Sequence, residues 1–328
     1  VERSRVGSVL PNPPRLGAAW AQSAKKKELK FRLDNADKYV RMIEYHTHAL
    51  GSTQMLKFSK ANAKLESLHD VPELDRWLLN GRKVYSLDLL SGWSCPFASA
   101  CLSKVHETGE FSPSGNPRVK LKDGPNTEFR CFSASQEALL PNVYAKRKHN
   151  YDTLKGLKSF TCMTERLCAD LPKKCGILRF HVGGDFFNAD YFLAAIHTAK
   201  ANPDRLFYAY TKSLKYWEEF SDHLDQIDNF VLTASRGGRD DDMINRDNLR
   251  ESVVVFSEDE AYNRGLEIDH DDSHAAVPEW RNNSFALLVH GVQPKGSKAA
   301  EALKILKRDK VKHSYSRKKS LTLEKTMV

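Results

Sequence analysis

Apolar residues along this chain gather in short continuous runs rather than in strict alternation. Residues 84–90, 177–182, 206–210, 230–234, 252–256 and 285–290 each read as a strand. Such runs fit strands covered on both faces, as in parallel sheets. Between several of them the spacing turns helical. Residues 191–201 place Phe192, Ala195, Ile196 and Ala199 near one face, and 217–224 and 258–264 are shorter helices. Strand, loop, helix and strand in succession predict repeated βα units. Six strands of this kind make an α/β fold, with a partial or complete parallel βα barrel favoured and an open doubly wound sheet as the alternative. Residues 1–35 read as irregular around Pro11, Pro13 and Pro14. Residues 36–80 read as partly helical, with Asn35 or Asp37 as a cap and Val40, Ile43, Thr47 and Leu50 at helical spacing. The expected organisation is a basic N-terminal helical extension over 1–75, a barrel-like catalytic domain over 76–300 and a basic tail over 301–328.

Polar residues stand where the runs end. The second run enters Gly183-Gly184-Asp185, the third enters Tyr210-Thr211-Lys212, and the fourth enters Ser235-Arg236-Gly237-Gly238-Arg239. The last two end at Ser257-Glu258 and His290-Gly291. In βα barrels the site lies on the carboxyl rim of the strands, so five successive polar strand ends predict a shared site. Two glycines allow close backbone approach to a ligand, and Asp185 can accept from an amine or a ribose. The same residues also fit a tight turn with Asp185 as a helix cap. Ser235 and Arg236 with their glycines could cradle a carboxylate or phosphate, or form a plain loop. Tyr210 and Lys212 are the candidate catalytic residues. His181 and His290, at the ends of apolar runs, read either as core or as site histidines.

Six cysteines add chemistry. Cys95 and Cys101 follow the first strand in a Gly/Ser/Pro turn, and Cys131 follows a Gly-, Pro- and Lys-rich stretch read as a surface insertion. Thiolates on irregular backbone at a strand end can converge on a metal or an iron–sulfur cluster. Structural zinc takes four closed ligands, whereas a cluster held by three thiolates leaves one iron open. Three reduced, packed cysteines are the plain alternative. Cys162, Cys168 and Cys175 read as packing, with a second metal site as their alternative. The segment 267–274, dense in Asp and His, reads as a solvated acidic loop, or as a divalent-ion site.

Composition narrows the setting. The chain of 328 residues carries 51 Lys and Arg against 42 Asp and Glu, a formal charge of +9. That excess permits contact with nucleic acid without demanding it. Arg118, Lys120 and Lys122 cluster between the second and third cysteines, and Lys146, Arg147, Lys148 and His149 follow the third. No apolar stretch is long enough to span a bilayer, and no signal-peptide core opens the sequence. Reduced cysteines and these absences together lead to the expectation of a cytoplasmic protein with no membrane contact.

Several motifs carry a resemblance. Gly92-Trp93-Ser94-Cys95-Pro96-Phe97-Ala98, Asp123 to Phe132, His181-Val182-Gly183-Gly184-Asp185-Phe186-Phe187, Phe207 to Lys212, Leu232 to Ser235 and Ile268 to Ala275 are similar to the phage and prophage proteins of the gene product eighty-eight family, over about residues 80–305. That likeness implies a phage or mobile-element origin, and a bacterial host cytoplasm. A looser resemblance is to radical S-adenosylmethionine enzymes. It implies that Cys95, Cys101 and Cys131 hold a [4Fe–4S] cluster, and that Gly183, Gly184, Asp185, Ser235 and Arg236 bind S-adenosylmethionine. It also implies an electron donor, and a deoxyadenosyl radical that removes hydrogen from a substrate. This sequence departs from that pattern in its cysteine spacing and in having Asp185 where Glu is usual. The basic segments suggest nucleic acid or a nucleotide as substrate. Two other readings stand beside this one. The first is a nucleic-acid-binding protein whose cluster or zinc is structural, with Trp93, Phe97, Phe129 and Phe132 as stacking residues. The second is a metal-dependent nuclease using Asp185, Asp269, His270, Asp271 and His274.

Overall fold

All six apolar runs are strands in the computed structural model, which describes residues 54–311. Expectations for residues 1–53 and 312–328, the Asn35 or Asp37 cap included, lie outside the described residues. In chain order the strands are β1 (Ser59–Lys60), β2 (Lys83–Leu87), β3 (Ser103–Phe111), β4 (Pro117–Asp123), β5 (Cys175–Phe180), β6 (Leu206–Thr211), β7 (Phe230–Ser235), β8 (Glu251–Val255), β9 (Glu267–Ile268) and β10 (Phe285–Leu288). Eight form one sheet in the order β1-β2-β5-β6-β7-β8-β10-β9. Only the β1–β2 pair is antiparallel. The expected α/β fold with a parallel sheet is therefore present. From β2 to β8 the order advances in one direction, and β10 then enters between β8 and β9. A doubly wound sheet reverses in its middle to carry helices on both faces, and this one does not. Among the described residues no ladder joins the edge strands β1 and β9, so the sheet is not a closed barrel.

Right-handed crossovers that all step the same way between β5 and β8 keep the connecting helices of those strands on one face. That face is aromatic. Phe180 packs against Phe186, Phe207 and Phe230, and Phe186 against Tyr191 and Phe192. The helix Ala189–Ala201 supplies Tyr191 and Phe192, and begins where the Asn188 side chain accepts from the Tyr191 N–H at 2.8 Å. Val84, Ile177, Tyr208, Val231 and Phe285 line the other face, where Leu65, Leu68, Leu74 and Ala275–Val277 cover them. Two contacts join segments far apart along the chain. Lys64 lies 2.6 Å from Asp272, and the Gln293 side chain clamps the Arg130 backbone, accepting from its N–H at 2.7 Å and donating to its carbonyl at 3.0 Å.

The insertion between Cys101 and Cys131 is an antiparallel hairpin of β3 and β4. The helix Pro141–Gly156 was not apparent from periodicity, because its lysines and asparagines obscure the apolar stripe. Pro141 at its first turn was the available start signal. The helix Lys298–Arg308 runs across residue 300 and packs Ala299, Ala302, Leu303 and Leu306 into the cluster around β8 and β10. No helix among the described residues is long and apolar enough to cross a membrane.

Candidate functional site

The carboxyl end of β2 begins the site. Asp88 accepts from the Val182 N–H at 2.7 Å, and the Leu89 N–H donates to the Gly183 carbonyl at 2.8 Å. These bonds lock the first two strand ends together. The chain then turns at Gly92, where φ is 72° and an added Cβ would fall 2.3 Å from the Ser103 carbonyl oxygen, which excludes a side chain. The Gly92 N–H points at the Cys95 sulfur, 3.3 Å away. The loop from Cys95 to Cys101 is laced to the loop after β7 by backbone alone. Ala100 N–H donates to the Gly237 carbonyl at 2.9 Å, and Arg239 N–H to the Phe97 carbonyl at 2.9 Å.

Cys131 arrives from the far side of the hairpin and immediately precedes the helix Phe132–Leu139. The Ser133 and Ala134 N–H groups of that helix act on the Cys131 thiol to lower it, against burial. Ser103 joins the two cysteine segments, its hydroxyl accepting from the Cys131 N–H at 3.3 Å and donating to Asp123 at 3.0 Å. Glu137 joins them again. One of its carboxylate oxygens accepts from the Ser91 N–H (3.0 Å), the Ser91 hydroxyl (2.7 Å) and Arg147 (3.1 Å). Burial raises the Glu137 carboxyl, opposed by the Arg147 charge. Arg147 is thus buried, not part of a surface basic cluster.

The three thiols wall one cavity of about 520 Å³ together with Gly183, Gly184, Asp185, Ser133, Tyr210, Lys212 and Ser235. Burial pushes the Cys131 thiol up to about 12, reinforced by Cys101. Cys95 is raised as well, by burial and then by Asp185, Cys131 and Cys101. Cys95 and Cys131 therefore favour the neutral thiol. The Ser133 hydroxyl, buried at the same wall, has no hydrogen-bond partner among the described residues. Asp185 accepts from the Thr211 hydroxyl (2.7 Å) and the Phe186 N–H (2.7 Å) through one oxygen, and from the Lys212 N–H (2.8 Å) through the other. It is not the cap of the following helix, a role that Asn188 takes.

A family model described as gene product 88 matches residues 56–309. The chain belongs to the gene product 88 family, the phage family its motifs resemble. No curated protein and no solved structure matches it.

Within this family member, the remaining sequence candidates divide. Tyr210 and Lys212 reach the cavity wall, but both are engaged. Tyr210 donates to Asp272 at 3.1 Å, and its ring lies under Arg179. The Lys212 ammonium is spent on Ser235 O (2.7 Å), Ser235 Oγ (2.8 Å) and Arg236 O (2.8 Å), tying β6 to β7. Arg236 turns away from the cavity to pair with Glu251 and Asn245. The N–H groups of Gly237 and Gly238, read as an anion cradle, are already filled by the Asp241 carboxylate at 2.8 Å each. Gly183 and Gly184 lack side chains for packing reasons. A Cβ would come within 2.0 Å of the Ser133 hydroxyl at Gly183, and within 2.7 Å of the Ser94 hydroxyl at Gly184.

The acidic segment 267–274 is not a solvated loop. Asp269 and Asp272 are buried beside Lys64, Arg179 and His274. Burial alone would raise both carboxyls. Lys64 and His274 instead hold Asp269 below the usual carboxylate range, and Arg179 and Lys64 do the same for Asp272. Protein cations stand where a divalent ion would need to be, and Asp185 hydrogen-bonds to a separate set of groups. His270 and Asp271 flank this network, with Asp271 accepting from the Ser273 N–H at 3.0 Å. His181 is buried and also lines the cavity. Its Nε2 meets the Tyr191 hydroxyl at 2.9 Å, and burial lowers it to about 3. His290 lines the cavity against Phe132, lowered by burial to about 4. Cys175 is buried in β5 with its thiol raised to about 12, and Cys168 lies against Asn202. Neither lines the cavity.

Among the described residues no group of three or more His, Cys, Asp or Glu side chains is gathered as for a single metal ion. Zinc would need such a group at about 2.0–2.3 Å. A cluster held by three thiolates asks that the three sulfurs face one cavity, and Cys95, Cys101 and Cys131 line one. Backbone N–H groups aimed at two of the sulfurs, a buried unpartnered hydroxyl and three thiols on irregular chain are a coherent donor set for such a group.

Proposed function

We propose that this protein is an iron–sulfur enzyme of the radical S-adenosylmethionine type, built on an incomplete parallel βα barrel. One observation carries the reading. Cys95, Cys101 and Cys131 come from two segments separated by a hairpin, yet wall one cavity with Asp185 at the carboxyl end of the parallel sheet. Support for the barrel curvature comes from the Lys64–Asp272 and Arg130–Gln293 contacts, which join segments before β2 and β5 to segments flanking β10.

Cys95, Cys101 and Cys131 would hold a [4Fe–4S] cluster. Bound there, the cluster supplies single electrons from an external donor to S-adenosylmethionine. The chain's own residues prepare the place. Gly92, Ser133 and Ala134 direct N–H groups at sulfur, which favours the thiolate. Asp185, fixed by Thr211 and Lys212, offers negative charge beside Cys95 for an amino group. The Ser133 hydroxyl is available to a polar group of the cofactor. The apolar wall of Phe129, Phe132, Leu287 and Val289 excludes water from the reacting end. A cytoplasmic host setting follows from the reducing conditions such a cluster needs.

Anaerobic reconstitution tests the reading. Iron and sulfide near one [4Fe–4S] cluster per chain, with a reduced-state paramagnetic spectrum that shifts on adding S-adenosylmethionine, are expected. Cys131→Ala should lose the cluster absorbance and Cys175→Ala should keep it. Zinc without sulfide, or equal loss in both variants, would overturn the proposal.

A further inference from the structure

The β3–β4 hairpin has two unlike faces. Val105, Val119 and Leu121 face inward, against Leu90 and Tyr144. On the other face the register places Lys104 directly across from Lys122, and His106 across from Lys120. Like charges opposed across a ladder are destabilising, so sheet formation gives no reason to keep them. Among the described residues no carboxylate pairs with Lys104, Lys120 or Lys122, while Arg118, farther along, pairs with Glu110 at 3.5 Å.

An aromatic ring lies on this basic face. Trp93 packs edge-on against His106, with centroids 5.1 Å apart, and Lys104 Nζ is 4.8 Å from its centroid. Its indole N–H donates to the Val105 carbonyl at 2.9 Å, which fixes the ring, yet 41% of the residue remains exposed. The Tyr151 hydroxyl donates to the Trp93 carbonyl at 3.3 Å, and Lys155 sits 5.4 Å from the Tyr151 centroid. Cations and rings thus alternate along a strip that ends two residues before Cys95.

We infer that this strip binds a single-stranded nucleic acid, with Lys104, Lys120 and Lys122 on phosphates and Trp93 stacked on a base. Charge interleaved with fixed aromatics is the chemistry of single-strand grooves. A duplex keeps its bases stacked on one another and offers none to Trp93. That the strand delivers a nucleotide to the cavity rests on the enzyme reading above, whereas the binding itself does not.

The test uses the full chain and short fluorescent strands of DNA and of RNA, with the matching duplex and phosphatidylserine vesicles as competitors. Fluorescence anisotropy across a salt series is the readout. Single strands of either kind should bind more tightly than the duplex. The triple variant K104Q/K120Q/K122Q should lower the slope of log affinity against log salt by about 2, three contacts at roughly 0.7 each. Trp93→Ala should weaken binding by about 5- to 160-fold. The triple variant should melt no lower than the parent, because it removes repulsion. Cys131→Ala should leave strand binding intact, so loss of the cluster and loss of this surface are read separately. An unchanged salt slope in the triple variant, or lysine-dependent capture by vesicles with no strand binding, would overturn the inference.

Discussion

Gly184 illustrates how much one residue contributes to the cavity. Its φ is 99°, and a Cβ there would press on the Ser94 hydroxyl at 2.7 Å and on Leu89 Cβ at 2.8 Å. Gly81 shares the sign of φ, at 73°, with nothing within 4 Å. Alanine at Gly81 therefore meets only the backbone penalty, about 1–2 kcal/mol. Alanine at Gly184 meets that penalty plus overpacking of roughly 1–3 kcal/mol, and pushes against the loop that carries Cys95. Chemical denaturation of the two variants measures the difference. The glycine pair was legible as a place needing close approach. What approaches it was not, because Ser94 and Ser133 lie about 90 and 50 residues upstream and no local rule links them to a strand end.

At the scale of elements, Glu137 is the joint between the helix Phe132–Leu139 and the turn after β2. Removing one partner of a buried pair costs about 3–5 kcal/mol, whereas replacing both with apolar groups costs far less. Glu137→Ala should therefore lower stability in that range, and the double variant E137A/R147M should recover part of it. Equal denaturation midpoints for the single and double variants would show that Arg147 finds another partner. Element types were well expressed in the sequence. The continuous runs at β2, β5, β6, β7, β8 and β10 named the parallel strands, because burial on both faces leaves no polar alternation. The hairpin was hidden, although β4 alternates cleanly as Arg118, Val119, Lys120, Leu121 and Lys122. Its lysines drew attention as charge instead of as period.

For the whole molecule, the network of Lys64, Arg179, Asp269, Asp272 and His274 ties the segment before β2 to the segment after β9. Its pH dependence has two limbs. Asp269 and Asp272 are depressed, so their stabilisation is complete above the unfolded carboxyl value of about 3.9 and is lost as pH falls through the folded values. His274 is raised by its bond to Asp269, against burial, and by Glu267, so its contribution is full below about 6.5 and fades as pH rises through the folded value. Stability from this network should be greatest between about pH 4 and 6.5. Denaturation midpoints measured from pH 6 to 8 should fall less in His274→Gln than in the parent. The sequence showed these residues as an acidic, exposed segment, because their compensating cations, Lys64 and Arg179, stand far away along the chain.

The lacing of the Cys95–Cys101 loop to the loop after β7 has a consequence for descent. Those bonds are main chain to main chain, from Phe97, Ala100, Gly237 and Arg239. They do not depend on which side chains those positions carry, Gly237 apart. The frame that holds two of the thiols can therefore persist while Phe97, Ser99, Arg236 and Arg239 are exchanged. Change at those four positions is therefore insulated from the cavity wall that carries Cys95 and Cys101, because none of them lines it.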